Sequence, residues 1–273
     1  MSSGGSGTHK WHALHLVAKS IAAAIRLLPR RWRFRAAFLL ARAAQPFFRR
    51  TEAYRNHENL KIDTAAEIAL YLVINALTMN GTNFDPIVDI DGYDEFARIC
   101  NKGRGVLLVQ PHAMLTPLQF RIFHDRGLKA IGVSADRLMR IAGTTIPANP
   151  LVPSPTFLVT ARNRLREGRL VSAMLDRGEH SPGRTVEFAT ANGPVIIAPA
   201  LLQVAVRCGA RVAFTEVHVD GWRVVGSIVV SSSDTVEGLT REFAAFVSAH
   251  IAARGGETSA RAAMPATMET AQR

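Results

Sequence analysis

The sequence predicts an α/β fold: a single domain with a mainly parallel or mixed sheet flanked by helices, preceded by an N-terminal amphipathic helical segment that binds a membrane surface. Three observations lead there. From residue 62 onward, short apolar runs bounded by glycine alternate with helical stretches, the pattern of a sheet covered on both faces. A chain of 273 residues, 48% hydrophobic, can bury one substantial core. The segment 1–60 combines helical apolar periodicity with most of the positive charge.

The organisation is thus 1–60, basic amphipathic helices; 61–254, the α/β domain; and 255–273, a tail poor in large apolar residues that is expected to be disordered. Residues 2–7, "SSGGSG", read as a flexible leader. In the first segment Trp11, Leu14, Ala18, Ile21, Ile25 and Leu28 recur at steps of three and four, with His12, Lys19 and Arg26 on another face. Pro29 breaks the pattern. Phe34, Phe38, Ala41 and Phe48 resume it, and Arg35, Arg42 and Arg49 form a second cationic stripe. Of the net charge of +11, the segment 1–60 holds +9, from eleven lysines and arginines against Glu52 and Glu58.

A basic face joined to a Trp and Phe face suits an anionic bilayer surface, each cation near it contributing on the order of 1 kcal/mol. The alternative is a helical hairpin packed on the protein's own core with its arginines in solvent. A spanning helix is not expected, because Arg26, Arg30, Arg31, Arg33 and Arg35 interrupt every window of about 20 residues. A cleaved signal peptide is not expected either, since no uninterrupted apolar core precedes a small-residue cleavage site.

The α/β part is read element by element. Residues 64–79 form a helix with Thr64 as N-cap and Asn80-Gly81 as its stop. "PIVDIDG" is a strand, "YDEFARICNKG" a helix closed by Gly103, and "GVLLVQ" a strand. A helix around 115–126, the strand "KAIGVS", a Pro- and Thr-rich loop at 142–156 and a helix at 157–167 ended by Gly168 follow. "RLVSAMLD", "VIIAPALLQVAVRCG", "ARVAFTEVHVDG", "WRVVGSIVVSS" and a helix at 235–253 complete the run.

In such a sheet, reactive groups sit beyond the carboxyl ends of the strands, where loops converge. Two polar residues fall there: His112 after "GVLLVQ" and Asp176 after "RLVSAML". Imidazole is the side chain able to exchange a proton near neutral pH, and a carboxylate can orient it; the bland alternatives are a capping histidine and a turn-capping aspartate. Cys100 and Cys208, far apart and without a second pair, read as small buried residues. There is no glycine-rich phosphate loop, dinucleotide fingerprint, zinc spacing or G-x-S-x-G elbow, so no cofactor, metal or serine nucleophile is expected.

The blocks "GRGVLLVQPH", "EGRLVSAMLDRGEHSPGRTVEF" and "GPVIIAPALLQVAVRCGARVAF" resemble, in order and spacing, the bacterial lipid A biosynthesis acyltransferases, within the lysophospholipid and glycerolipid acyltransferase group. The likeness runs from about Trp11 to Ile251, including a basic apolar anchor and an "NL" step at Asn59-Leu60. It implies transfer of a fatty acyl group from an acyl-carrier-protein or acyl-CoA thioester to a hydroxyl of a lipid or other amphiphile, at the cytoplasmic face of a bacterial inner membrane, with the protein held there peripherally. In that family a histidine is followed five places later by a carboxylate. Here His112 keeps the histidine place and Pro117 takes the carboxylate place. The family's arginine near the start of the helix before Gly168 is replaced by Ser154-Pro155, whereas its aspartate matches Asp176. Arg162 and Arg164 are expected to be solvated.

Asp125, Asp136, Asp176 and Glu187 are candidates to replace the missing partner, and only Asp176 and Glu187 lie in a block that borders the pocket. The expected catalytic set is therefore His112, Asp176 and Glu187, with an exposed strand residue paired to Arg184 as the alternative for Glu187. Two functional classes follow: an acyltransferase, favoured by His112, and a catalytically weakened or inactive homologue that binds membrane or lipid, favoured by Pro117. Nucleic acid is not expected as a partner, because aromatic residues do not alternate with the arginines as stacking platforms.

Overall fold

The computed structural model describes residues 19–50, 65–113, 115–132, 138–141, 144–147, 156–176, 184–190 and 193–255. The leader at 2–7, the tail beyond Gly255, Trp11, Leu14, Ala18, the Asn59-Leu60 step, Thr64, Asp136 and Ser154-Pro155 lie outside the described residues.

The helices are α1 (19–27), α2 (Arg30–Phe48), α3 (Ala65–Met79), α4 (Tyr93–Cys100), α5 (Thr116–Asp125), α6 (Phe157–Arg166), α7 (Ala200–Cys208) and α8 (Val236–Gly255). The strands are β1 (Ile87–Asp91), β2 (Val106–Gln110), β3 (Ala130–Gly132), β4 (Leu138–Ile141), β5 (Thr144–Pro147), β6 (Leu170–Met174), β7 (Val186–Thr190), β8 (Gly193–Ile197), β9 (Arg211–Asp220) and β10 (Arg223–Val230). Six strands form one mixed sheet in the order β1-β10-β9-β2-β6-β3, antiparallel at β10–β9 and parallel at its other pairings. The α/β class with a mixed sheet flanked by helices holds.

Alternation along the strands builds two cores. Leu108 and Val217 face a layer holding Phe96 of α4 and Ile122 and Phe123 of α5, while Leu107, Val109 and Phe214 face Leu165 of α6, Leu202 of α7 and Phe243 of α8. The central strand β2 is buried at all five positions, so its unbroken apolar run is the signature of a strand covered on both faces. The glycine that opens "GVLLVQ" has a steric cause: a Cβ on Gly105 would run into the Leu165 carbonyl at the end of α6.

The N-terminal helices break at Pro29, as their periodicity predicts. Their inner face follows the hairpin alternative: Ala22, Ile25, Phe34, Ala37 and Ala41 are buried in the same cluster as Leu70, Val73 and Leu77 of α3. Arg33 fastens the corner by donating from Nε to the Leu28 carbonyl (2.9 Å) and from Nη2 to the Arg26 carbonyl (2.7 Å), capping the orphan carbonyls that end α1. The outer face keeps apolar groups in solvent, with Trp32 46% and Phe47 73% exposed and Leu27 and Leu39 beside them in the same helices. No helix among the described residues is long and apolar enough to cross a membrane.

One expectation is corrected. The stretch 142–156 is not loop throughout, because Thr144–Pro147 forms β5 and pairs antiparallel with β4, Met139 opposite Ile146. The β-branched run Thr144-Thr145-Ile146 favours extended backbone, and Pro147 sits at the strand end where its missing N–H is tolerated.

Candidate active site

β2 and β6 run parallel with Gln110 level with Met174. Two positions beyond each, at their carboxyl ends, that register brings His112 and Asp176 together although they are far apart in sequence. The His112 backbone N–H donates to Asp176 Oδ2 (2.8 Å) and Oδ1 (3.1 Å), and ring Nδ1 lies 2.6 Å from Oδ1. A carboxylate only accepts, so Nδ1 carries the proton in this contact and Nε2 is left as the ring's acceptor. The Asp176 side chain is 1% exposed and the His112 side chain 26%. The acid is therefore sealed behind the ring, and the ring reaches solvent. Chemically, this is a base with its tautomer and orientation fixed, and with a buried charge positioned to stabilise the imidazolium.

Pro117 lies in the first turn of α5, where a missing N–H breaks no helical bond. Glu187 is exposed on β7, opposite Ile196 of β8, and forms no hydrogen bond or ion pair with His112 or with Arg184. Asp125 is tied to Arg121 within α5 (3.3 Å). Of the candidate acids among the described residues, Asp176 is the one that reaches His112. Arg162 is exposed, and Arg164 pairs with Glu167 (2.9 Å). Neither cysteine adjoins the pair; burial pushes the Cys100 thiol up to about 11, so it stays protonated at neutral pH.

A cleft of about 760 Å³ lies at the other end of the sheet, lined by Arg98, Lys102, Arg104 and Arg211 among others, and contains neither His112 nor Asp176. Glu95, the acid among its described lining residues, is 3.7 Å from Arg98, so the cleft is predominantly positive.

A second group of titratable side chains escapes sequence reading. Glu216 and His218 project from the same face of β9, and His250 meets them from α8, with His218 Nδ1 2.9 Å and His250 Nδ1 3.0 Å from Glu216 Oε2. Ser227, directly across on β10, donates to Glu216 Oε1 (3.1 Å). Burial opposes ionisation of Glu216, but the hydrogen bonds and charges of the two histidines outweigh it and hold the carboxyl well below the usual glutamate range. The i,i+2 spacing of Glu216 and His218 in a strand was the available signal. The third member lies much further along the chain, in a helix, where no spacing rule reaches.

β9 outruns β2. Its last partner there is Phe214, opposite Val109, and Asp220 lies six residues beyond, about 20 Å at the usual strand rise. The turn that follows therefore stands at the same end of the sheet as His112. It carries Trp222, half exposed, onto α2, where the Arg35 guanidinium sits 4.6 Å from the Trp222 ring and 4.8 Å from the Trp32 ring.

Compared with family models and with curated proteins, the chain matches none.

Proposed function

We propose that the protein is an acyltransferase that moves a fatty acyl group from an acyl-carrier-protein or acyl-CoA thioester to a hydroxyl of a lipid or other amphiphilic acceptor. The observation that carries this reading is the His112–Asp176 pair at the carboxyl ends of adjacent parallel strands, with the ring's acceptor nitrogen on its outer side. His112 Nε2 takes the proton of the acceptor hydroxyl as its oxygen attacks the thioester carbonyl carbon. The tetrahedral intermediate collapses with cleavage of the C–S bond, and the imidazolium returns its proton to the leaving thiolate. Asp176 keeps Nδ1 protonated and stabilises the cation between the two transfers. The non-catalytic alternative leaned on Pro117, and that support weakens where another carboxylate already holds the ring.

The acceptor is amphiphilic in this reading, and the protein works peripherally on an anionic bilayer, in keeping with the cytoplasmic face of a bacterial inner membrane. The exposed Trp32, Leu39 and Phe47 of α2, interleaved with Arg31, Arg35 and Arg42 and joined by Trp222, support surface binding at the end of the sheet that bears His112.

The test has two arms. Mass analysis of membrane lipids made with and without the protein should reveal an acceptor heavier by one acyl group, absent with His112→Ala. Identical lipid profiles, together with no transfer from acyl-CoA or acyl carrier protein to extracted lipids, would remove the enzyme reading. In the second arm, wild type should sediment with anionic vesicles and be released by salt only in part, because apolar burial is not screened as charge is. A Trp32→Ser, Trp222→Ser double variant should sediment less, and equal sedimentation would remove the surface assigned here.

A further inference from the structure

We propose that Glu216, His218 and His250 form a binding site for one divalent transition-metal ion of the zinc type, which ties α8 to the overhanging half of β9. The inference is independent of acyl transfer and stands on the arrangement of the three side chains. Each offers one ligand atom, and these atoms all lie within 4.8 Å of one another. A tetrahedral zinc ion bound at about 2.0–2.1 Å holds its ligand atoms about 3.3 Å apart. The two carboxylate–imidazole distances, 2.9 and 3.0 Å, need open by a few tenths of an ångström, and the two imidazole atoms, within 4.8 Å of each other, draw in toward the ion.

Three further features fit a metal better than a hydrogen-bonded ion cluster alone. Both imidazoles converge on a single carboxylate oxygen, Oε2, while Oε1 is held from behind by the Ser227 hydroxyl, the kind of outer contact that aims a ligating carboxylate. The rings of His218 and His250 stand edge to face, 65° apart with centroids at 6.2 Å, and do not stack. Phe214 lies on the same face of β9, and Phe246, Val247 and Ile251 flank His250 on α8 within the same apolar core, while the His218 side chain is 34% exposed. That combination gives a dry wall on one side and partial solvent access on the other, from which a fourth ligand such as water would come. Two imidazoles and one carboxylate are a donor set for zinc and its neighbours in the first transition row, not for calcium or magnesium, which prefer oxygen throughout.

The experiment uses the full chain without a polyhistidine tag, stripped with a chelator and titrated with Co²⁺ alone. We expect one equivalent to bind with the visible ligand-field band of a four-coordinate ion, Zn²⁺ to displace it, and the melting temperature to rise on loading. His218→Ala, the most exposed of the three, should weaken binding at least about tenfold, whereas His112→Ala should leave it unchanged. Absence of stoichiometric binding by wild type, or equal binding by His218→Ala, overturns the assignment. Should His218→Ala fail to fold, X-ray absorption of the zinc-loaded wild type decides: two imidazoles in the first shell support the site, and a shell without them overturns it.

Discussion

Two carboxylate–histidine arrangements among the described residues, one at His112 and one at Glu216, are built in opposite senses. At the ends of β2 and β6 the carboxylate of Asp176 is innermost, bound by a ring and by that ring's own backbone N–H, and the imidazole faces out. On β9 and α8 the carboxylate of Glu216 is the centre and two imidazoles turn inward upon it. The same residue types therefore acquire different capacities according to which group is outermost. An imidazole with its far nitrogen toward solvent can pass a proton to a bound molecule. A carboxylate ringed by imidazoles has its acceptor capacity consumed within the protein, and what it can exchange for those protons is a cation.

That contrast breaks most sharply at His112. His112→Ala should lower acyl transfer by about 10³-fold or more, whereas His218→Ala, assayed under the same conditions, should transfer as wild type does. Equal losses in both would mean that the two arrangements serve one reaction. Asp176→Asn comes next, with an expected drop of about 10²- to 10⁴-fold, since the amide can no longer hold the ring by charge or fix its tautomer. Because Asp176 also receives a backbone N–H, this variant should be destabilised by about 1–3 kcal/mol in urea denaturation. A full loss of stability without any kinetic defect in the folded fraction would recast Asp176 as a structural cap.

Glu216→Gln sharpens the other half. The amide keeps one acceptor oxygen but gives up the charge that faces both histidines, and an expected loss of about 1–3 kcal/mol should be read in chelator, with transfer by the folded protein retained. The smallest effect belongs to Pro117→Glu. It restores a carboxylate five places after His112, yet the ring is already held, so the rate should not change; a large gain would show that Asp176 supports His112 poorly. Glu187→Gln should be equally silent, being exposed on β7 and out of hydrogen-bonding contact with His112.

Much of the frame is legible in the sequence for local reasons. A five-residue apolar run opening with glycine is a buried strand because a helix of that length could not close its own hydrogen bonds. Pro29 and Gly168 end helices through their own backbone constraints, Gly168 at a φ of +74°. His112 and Asp176 could be picked out because the strand-end address is itself a local property, one residue type following one run. The Thr-rich stretch at 144–147 was less legible, since so short a strand depends on a partner strand that periodicity cannot supply.

What the sequence determined by itself, then, was most of the elements, the breaks between them and the polar residues at strand ends, since each follows from the backbone and side-chain preferences of neighbours in the chain. Which acid contacts His112 was decided by the register of β2 against β6, which sets positions 112 and 176 level; the composition of the chain between them does not contain that distance. The inward turn of Phe34 and Ala41, the meeting of Trp222 with Arg35, and the joining of His250 to Glu216 and His218 were likewise decided by packing between separate elements. Amphipathic periodicity fixes which residues share a face, but whether that face meets a bilayer, a sheet or solvent depends on what the rest of the chain brings against it.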